Sequence, residues 1–222
     1  MSNFQRTKLY DLLAASPLIV WYGLAVAGLV PQIADTWRTY GSSHDTVAGL
    51  SALSLVASLV FLALQIVLFL VRRPPERFSE SVWSRIVALL GANAALAFLA
   101  LGRVTMSATL ASISAVLVIL GSLLSIYVAL WLGRSFSILP QARKLVTSGP
   151  YKFVRHPLYL VEWIANLGIM LEFREPWALL IMCGVIAMQF PRMYFEEKIL
   201  SETYPTYREY QARTVRLIPG IY

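Results

Sequence analysis

The chain has 222 residues, 58% hydrophobic and only 14% charged, against roughly 25% charge in an ordinary soluble domain; with a mean hydropathy of +0.64 this argues against a conventional water-soluble enzyme. The net charge of +7 admits nucleic acid, an anionic membrane surface or an anionic ligand as partner. The single cysteine, Cys183, lies in an apolar run and rules out an intramolecular disulfide or a Cys-rich zinc site; with only two histidines, no metal is expected.

Crossing a hydrocarbon core takes about 17 to 25 apolar residues as a helix. Uncharged runs of that kind occur at Leu12–Val30, Val47–Val71, Ile86–Gly102 and Ala108–Leu132. The first is too long for a signal-peptide core and is followed by Pro31-Gln32-Ile33 without a small-residue cleavage pattern, so it is expected to stay in the mature protein. Between the second and third lies Arg72-Arg73-Pro74-Pro75-Glu76-Arg77, which reads as a topology anchor. Two shorter runs, Leu158–Leu171 and Trp177–Phe190, flank the polar break Glu172–Pro176 and predict a helical hairpin. From Arg192 to about Val215, apolar Phe195, Ile199 and Tyr207 interleave with charged residues, predicting an amphipathic helix broken at Pro205.

The expectation is an all-α polytopic membrane bundle of about six spans, the last two a hairpin, with a C-terminal amphipathic helix at the cytoplasmic surface. It divides into a four-span N-terminal part, 1–132, and a core, 133–222. Placing alternate connections on opposite sides puts 16 of the 19 Lys and Arg residues on one side and leaves Arg38, Arg103 and Arg174 on the other. By the positive-inside rule both termini and both long polar segments face the cytoplasm, as in a multi-pass protein of a prokaryotic plasma membrane. The basic surplus is then a topological feature, and no nucleic-acid partner is expected.

Two polar clusters stand at the edges of the hairpin. Gly149-Pro150-Tyr151 is a turn signal, and Pro157 suits the first turn of the helix that follows Arg155-His156. Free N–H groups at such a helix start favour a carboxylate or phosphate. In Arg192-Met193-Tyr194-Phe195-Glu196-Glu197 the guanidinium and Glu196 lie one turn apart at the membrane boundary, where a ligand can be part in lipid and part in water. The hairpin returns the chain to its starting side, so the clusters can face each other. Glu162, inside an apolar segment, needs a partner or a wet pocket, because burying an acid at mid-bilayer costs about 2.5–3.5 kcal/mol.

Thr147-Ser148-Gly149-Pro150-Tyr151, Arg155-His156-Pro157-Leu158-Tyr159, Arg192 with Glu196-Glu197 and Leu200, Tyr204, Tyr207-Arg208-Glu209-Tyr210 and Arg216-Leu217-Ile218-Pro219 occur in that order over about the last 90 residues. Together they resemble the isoprenylcysteine carboxyl methyltransferase and phospholipid methyltransferase superfamily. Gly133 resembles part of the glycine motif of the phospholipid enzymes, although Leu132-Gly133-Arg134 lacks their second glycine.

The resemblance implies an S-adenosylmethionine-dependent membrane methyltransferase, releasing S-adenosylhomocysteine. It implies cofactor contacts from Gln141, the Arg143–Val146 stretch (Arg143, Lys144, Leu145, Val146), Gly149, Tyr151, Arg155, His156, Pro157, Leu158, Tyr159, Glu196 and Glu197, with Arg192 toward the substrate; Glu162 is a separate substrate-side candidate, on the ground of its place in a membrane segment. Arg192 and Glu196 are the implied catalytic residues. The chemistry is compatible: Glu196 suits the cofactor's amino group, His156, Tyr151 and loop N–H groups its carboxylate, and Tyr159, Phe153 and Leu145 its adenine. Methyl transfer is an in-line displacement that rests on geometry and needs no metal. The Arg-His-Pro-x-Tyr and Arg-x-x-x-Glu spacings resemble the isoprenylcysteine enzymes more than the phospholipid ones, and that resemblance implies a lipid or prenylated acceptor, most of all the carboxylate of a prenylated cysteine or a similar isoprenoid or lipid acid. The alternatives are a phospholipid amine or a thiol, which would require Glu196 or Glu197 to take a proton, and an NADPH-dependent enzyme resembling the sterol reductases. The acceptor pocket is expected to be lined by apolar side chains of the early spans.

Overall fold

The computed structural model describes residues 3–218; Pro219 of the C-terminal motif lies outside them. Helices α1 (Asn3–Ser43) and α2 (Thr46–Val71) form an antiparallel pair. Asp45 starts α2, its carboxylate accepting from the Val47 N–H at 3.0 Å. At 41 residues α1 is roughly 60 Å long, about twice a hydrocarbon core. The helix thus overruns the expected span Leu12–Val30 at both ends. Its outer turns carry their polar side chains on their own backbone, as in Thr36 Oγ1 donating to the Gln32 carbonyl at 2.7 Å.

Helix α3 (Val82–Asn93) begins at Ser81, whose hydroxyl accepts from the Ser84 N–H at 3.3 Å, and tightens into a 3-10 segment, Ala94–Ala100. Helix α4 (Ala108–Leu132) coincides with the expected fourth span. It stops at Gly133, whose φ of 49° is costly for a side-chain-bearing residue. Helices α5 (Pro157–Met170), α6 (Trp177–Thr203) and the short α7 (Tyr207–Arg213) follow. Two-residue strands β1 (Arg77–Phe78) and β2 (Gln141–Ala142) pair antiparallel and fasten the α2–α3 connection to the loop after α4.

The chain is an integral membrane protein: α1, α2, α3 with its 3-10 extension, α4 and α6 are long and apolar enough to cross a bilayer. Helix α5, with 14 residues, reaches only roughly 21 Å. The expected hairpin is therefore asymmetric. Its second arm does not end at Phe190-Pro191 but runs unbroken through Pro191 to Thr203. Proline removes one backbone donor, a loss that neighbouring helices in a membrane bundle can absorb. The expected separate helix from Arg192 thus begins as nearly the last half of α6, and the chain breaks only around Pro205, before α7.

Neighbouring helices run α1, α2, α4, α5, α6, α3 around a central space. Helices α4 and α5 touch through small residues: a Cβ on Gly121 would lie 2.3 Å from the Ala165 backbone nitrogen, and one on Gly168 2.7 Å from the Ser114 carbonyl. Because α4 and α5 are antiparallel, the bundle has a loop end, holding 133–156 and α7, and a far end, holding Arg103 and the α5–α6 turn, where Val104 N–H donates to the Glu172 carbonyl at 3.0 Å.

Candidate functional site

The central space is a cavity of about 540 Å³. Of the expected site residues, Gln141, Arg143, Lys144, Leu145, Val146, Tyr151, Arg155, His156, Leu158, Tyr159, Glu162, Arg192 and Glu196 line it. Gly149, Pro157 and Glu197 are not on its wall, and Phe153, expected beside the adenine, is 71% exposed on the outside.

Helix α5 starts at Pro157 and so presents His156 and Tyr159 at the cavity edge; their rings stack at 5.4 Å with 6° between planes. The Arg192 guanidinium from α6 sits over the other part of this platform, 4.7 Å from the Tyr159 ring centre, a cation–π contact. The Tyr159 hydroxyl donates to Glu196 Oε1. That same carboxylate lies 4.0 Å from Arg192 Nη2 and 3.9 Å from His156 Nδ1. Arg192 Nη1 donates to Gln189 Oε1 at 2.9 Å, whereas its buried Nε has no protein partner. Gly91 of α3 makes room for this side chain, since a Cβ there would fall 2.5 Å from Arg192 Cδ.

Glu197, one residue on, faces away from the cavity. Its carboxylate accepts from Arg155 Nε at 2.8 Å, Arg216 Nη2 at 2.8 Å, His156 Nε2 at 3.1 Å and Gln211 Nε2 at 3.1 Å. This ties the loop, α6 and the segment after α7 into one unit. A short parallel bridge, Val154 with Val215, runs beside it. The N–H groups of Arg155 and His156 donate to the Val215 and Arg216 carbonyls at 2.9 and 3.1 Å. Two of the loop amides expected to meet an anion are thus already used. Tyr210 donates to the Tyr151 carbonyl at 2.6 Å. Burial, reinforced by Glu196, holds the Tyr151 hydroxyl well above its ordinary range, so it faces the cavity as a neutral donor. Burial likewise pushes Tyr210 up to about 12. Gly149, φ 59°, brings the loop backbone against Trp131, whose ring a Cβ would meet at 2.4 Å.

Two features are not predicted from sequence. First, Arg72 does more than anchor topology: its Nε donates to Asp11 Oδ2 at 2.8 Å, and Arg143 Nη2 donates to Asp11 Oδ1 at 2.8 Å, all three side chains being buried. Arg143 also donates to the Arg73 carbonyl and to Gln141 Oε1. Helix α1 thereby holds the loop that lines the cavity. Burial, with Arg143 adding to it and Asp11 opposing, moves the Arg72 guanidinium down to about 10. Second, beside apolar side chains such as Leu29, Leu55, Phe61 and Leu62, the early spans also turn Gln32 of α1 and Ser54, Ser58 and Gln65 of α2 to the cavity.

Residues 103–207 match the family model described as phospholipid methyltransferase. Among curated proteins, the chain is 32% identical over 88 residues to the nickel-cobalt-cadmium resistance protein NccN of Alcaligenes xylosoxydans xylosoxydans, covering 36% of this chain and 38% of that protein. It is 34% identical over 82 residues to the cobalt-zinc-cadmium resistance protein CzcN of Cupriavidus metallidurans, covering 35% of this chain and 36% of that protein. The chain thus matches well under half the length of either relative. The family match contains α4, α5, α6 and every site residue from Gln141 to Glu197, so this part of the chain is similar to the phospholipid methyltransferases.

Proposed function

We propose that the protein transfers a methyl group from S-adenosylmethionine to a lipid-like acceptor held at membrane depth in the cavity. The observation that carries this reading is the convergence of His156, Tyr159, Arg192 and Glu196 on one cavity that extends into the bundle. The donor set fits the cofactor: the Glu196 carboxylate for its amino group, Tyr151 as a donor for its carboxylate, and a stacked His156–Tyr159 platform beside apolar Leu145 and Leu158 for a flat ring. When bound, the cofactor supplies a methyl group already activated by positive sulfur. The chain's own tasks are then to align the acceptor and to exclude water.

Arg192 is the residue for the acceptor. Held by Gln189 and the Tyr159 face, with its buried Nε turned to no protein group, it is placed to orient an acidic acceptor, and a carboxylate needs no base. We therefore read the acceptor as a prenylated or other lipid carboxylate. A second reading, an amine, is favoured by Glu162, which lines the same cavity and would take the proton. The metal resistance in the relatives' names adds no residue-level argument, since the described residues hold no group of three or more His, Cys, Asp or Glu placed for a metal ion.

Calorimetric titration of the detergent-solubilised protein with S-adenosylhomocysteine and with NADPH tests the reading. We expect the first to bind and Glu196→Ala to weaken it at least tenfold, while Arg192→Ala binds normally and has lost turnover. Binding of NADPH alone refutes the proposal.

A further inference from the structure

The cavity does not end at the reacting groups. Its lining begins at the loop end with Lys144 and Tyr210 and reaches Arg103, Glu172 and Phe173 at the far end. It follows one face of α5, where Tyr159, Glu162, Asn166 and Ile169 stand at helical spacing over roughly 15 Å.

The polar groups continue along this path. Ser54, Ser58 and Gln65 lie on one face of α2, and Ser122 and Ser125 on one face of α4. The α2 serines alone carry no weight, because Ser54 and Ser58 donate to their own helix's carbonyls at 2.8 and 2.9 Å. Ser125 differs: its buried hydroxyl has no partner. Glu162 and Asn166 likewise receive no hydrogen bond from any described residue, yet both face the cavity within the bundle. Ionisable and amide groups at membrane depth are stable only when they meet water or a polar ligand. Beyond Arg192 the path carries one acid without a hydrogen-bond partner among the described residues, Glu162, while Arg103 and Glu172 face each other at 3.7 Å.

We infer that the cavity has a second, polar entrance at the far end, beside Arg103 and Glu172, through which a neutral or cationic hydrogen-bonding headgroup reaches the reacting site along Asn166 and Glu162. Assigning that headgroup to the acceptor rests on the second, amine reading of the proposed methyl transfer, because a carboxylate would be repelled by Glu162; the entrance itself rests on neither reading. An amphiphile from the far leaflet would keep its tail in the bilayer while its headgroup followed the polar face.

Full-length protein with Cys183→Ser and one new cysteine, Asn166→Cys or Ser58→Cys, is reconstituted in vesicles of known orientation. It is treated from one side at a time with a membrane-impermeant cationic or anionic methanethiosulfonate, with S-adenosylhomocysteine at saturation. Arg103→Cys marks the far face. The expected result is labelling of both inner cysteines from the far face. The cationic reagent should react at least ten times faster than the anionic one, and Glu162→Gln should bring that ratio toward one. No labelling of either inner cysteine from the far face while Arg103→Cys reacts overturns the entrance, and equal rates for the two reagents overturn its charge preference. If S-adenosylhomocysteine fails to slow labelling of Leu145→Cys from the loop end, the methyl-transfer reading falls and the entrance stands.

Discussion

Glu196 and Glu197 are adjacent in sequence and opposite in consequence, and their substitution separates a site residue from a structural one. Glu197 is 4% exposed and accepts hydrogen bonds from Arg155, Arg216, His156 and Gln211. Replacing it by alanine leaves the nearly buried Arg155 without an anion and the buried His156 with Glu196 alone, while Arg216, with 22% of its side chain exposed, can turn to water. Removing one partner of a buried pair costs about 3–5 kcal/mol, and the exposure of Arg216 places Glu197→Ala near the lower value, about 3 kcal/mol. The loss falls on the contact between the loop and the segment after α7, so opening there rises about a hundredfold. Limited proteolysis around Tyr204-Pro205-Thr206, together with thermal unfolding followed by tryptophan fluorescence in detergent, measures it. Glu197→Ala should be cleaved far faster and melt earlier, with Glu197→Gln between it and the native protein. Glu196→Ala should keep native melting and cleavage and lose ligand affinity. If Glu197→Ala melts and cleaves like the native protein, the carboxylate is not the tie described here.

Asp11→Asn leaves Arg72 and Arg143 facing each other in a buried pocket and should lower the melting midpoint strongly, whereas Asp35→Asn, in an exposed pair with Arg38, should leave it unchanged. Gly121→Leu drives a side chain into the α5 backbone, where nothing can give way, and should destabilise by about 3 kcal/mol or more in the same melting assay. Gly91→Ala meets chiefly the flexible Arg192 stem, with the Met188 carbonyl at 3.1 Å, so we expect at most a small drop in melting and a fall in methyl transfer of at least tenfold as the guanidinium shifts.

The spans of α2 and α4 were legible in sequence because uninterrupted apolar runs end at Arg72 and Gly133. The end of α6 was not: Phe190-Pro191 followed by charges looks like a membrane boundary, yet Arg192 lies buried over the Tyr159 ring of α5 and Glu197 is buried against Arg155, so the helix continues. The clusters at His156 and Arg192 were readable, and the fold brings them to one cavity. Asp11 was invisible as a partner because its cations lie 61 and 132 positions away, with no local spacing to reveal them. The polar face of the cavity escaped for another reason. Serines and a lone glutamine in α2 leave the run strongly apolar, and only the packing of α2 between α1 and α4 shows that they look inward.

The central claim is methyl transfer to a membrane acceptor at Arg192. Membranes containing the native protein or Arg192→Ala are incubated with S-adenosylmethionine labelled in its methyl group, and the extracted lipid is counted before and after mild base. The account predicts label in the lipid of the native sample alone, released by base as expected for a methyl ester. Equal label from Arg192→Ala, or no incorporation by a native protein that binds S-adenosylhomocysteine in intact membranes, would contradict it.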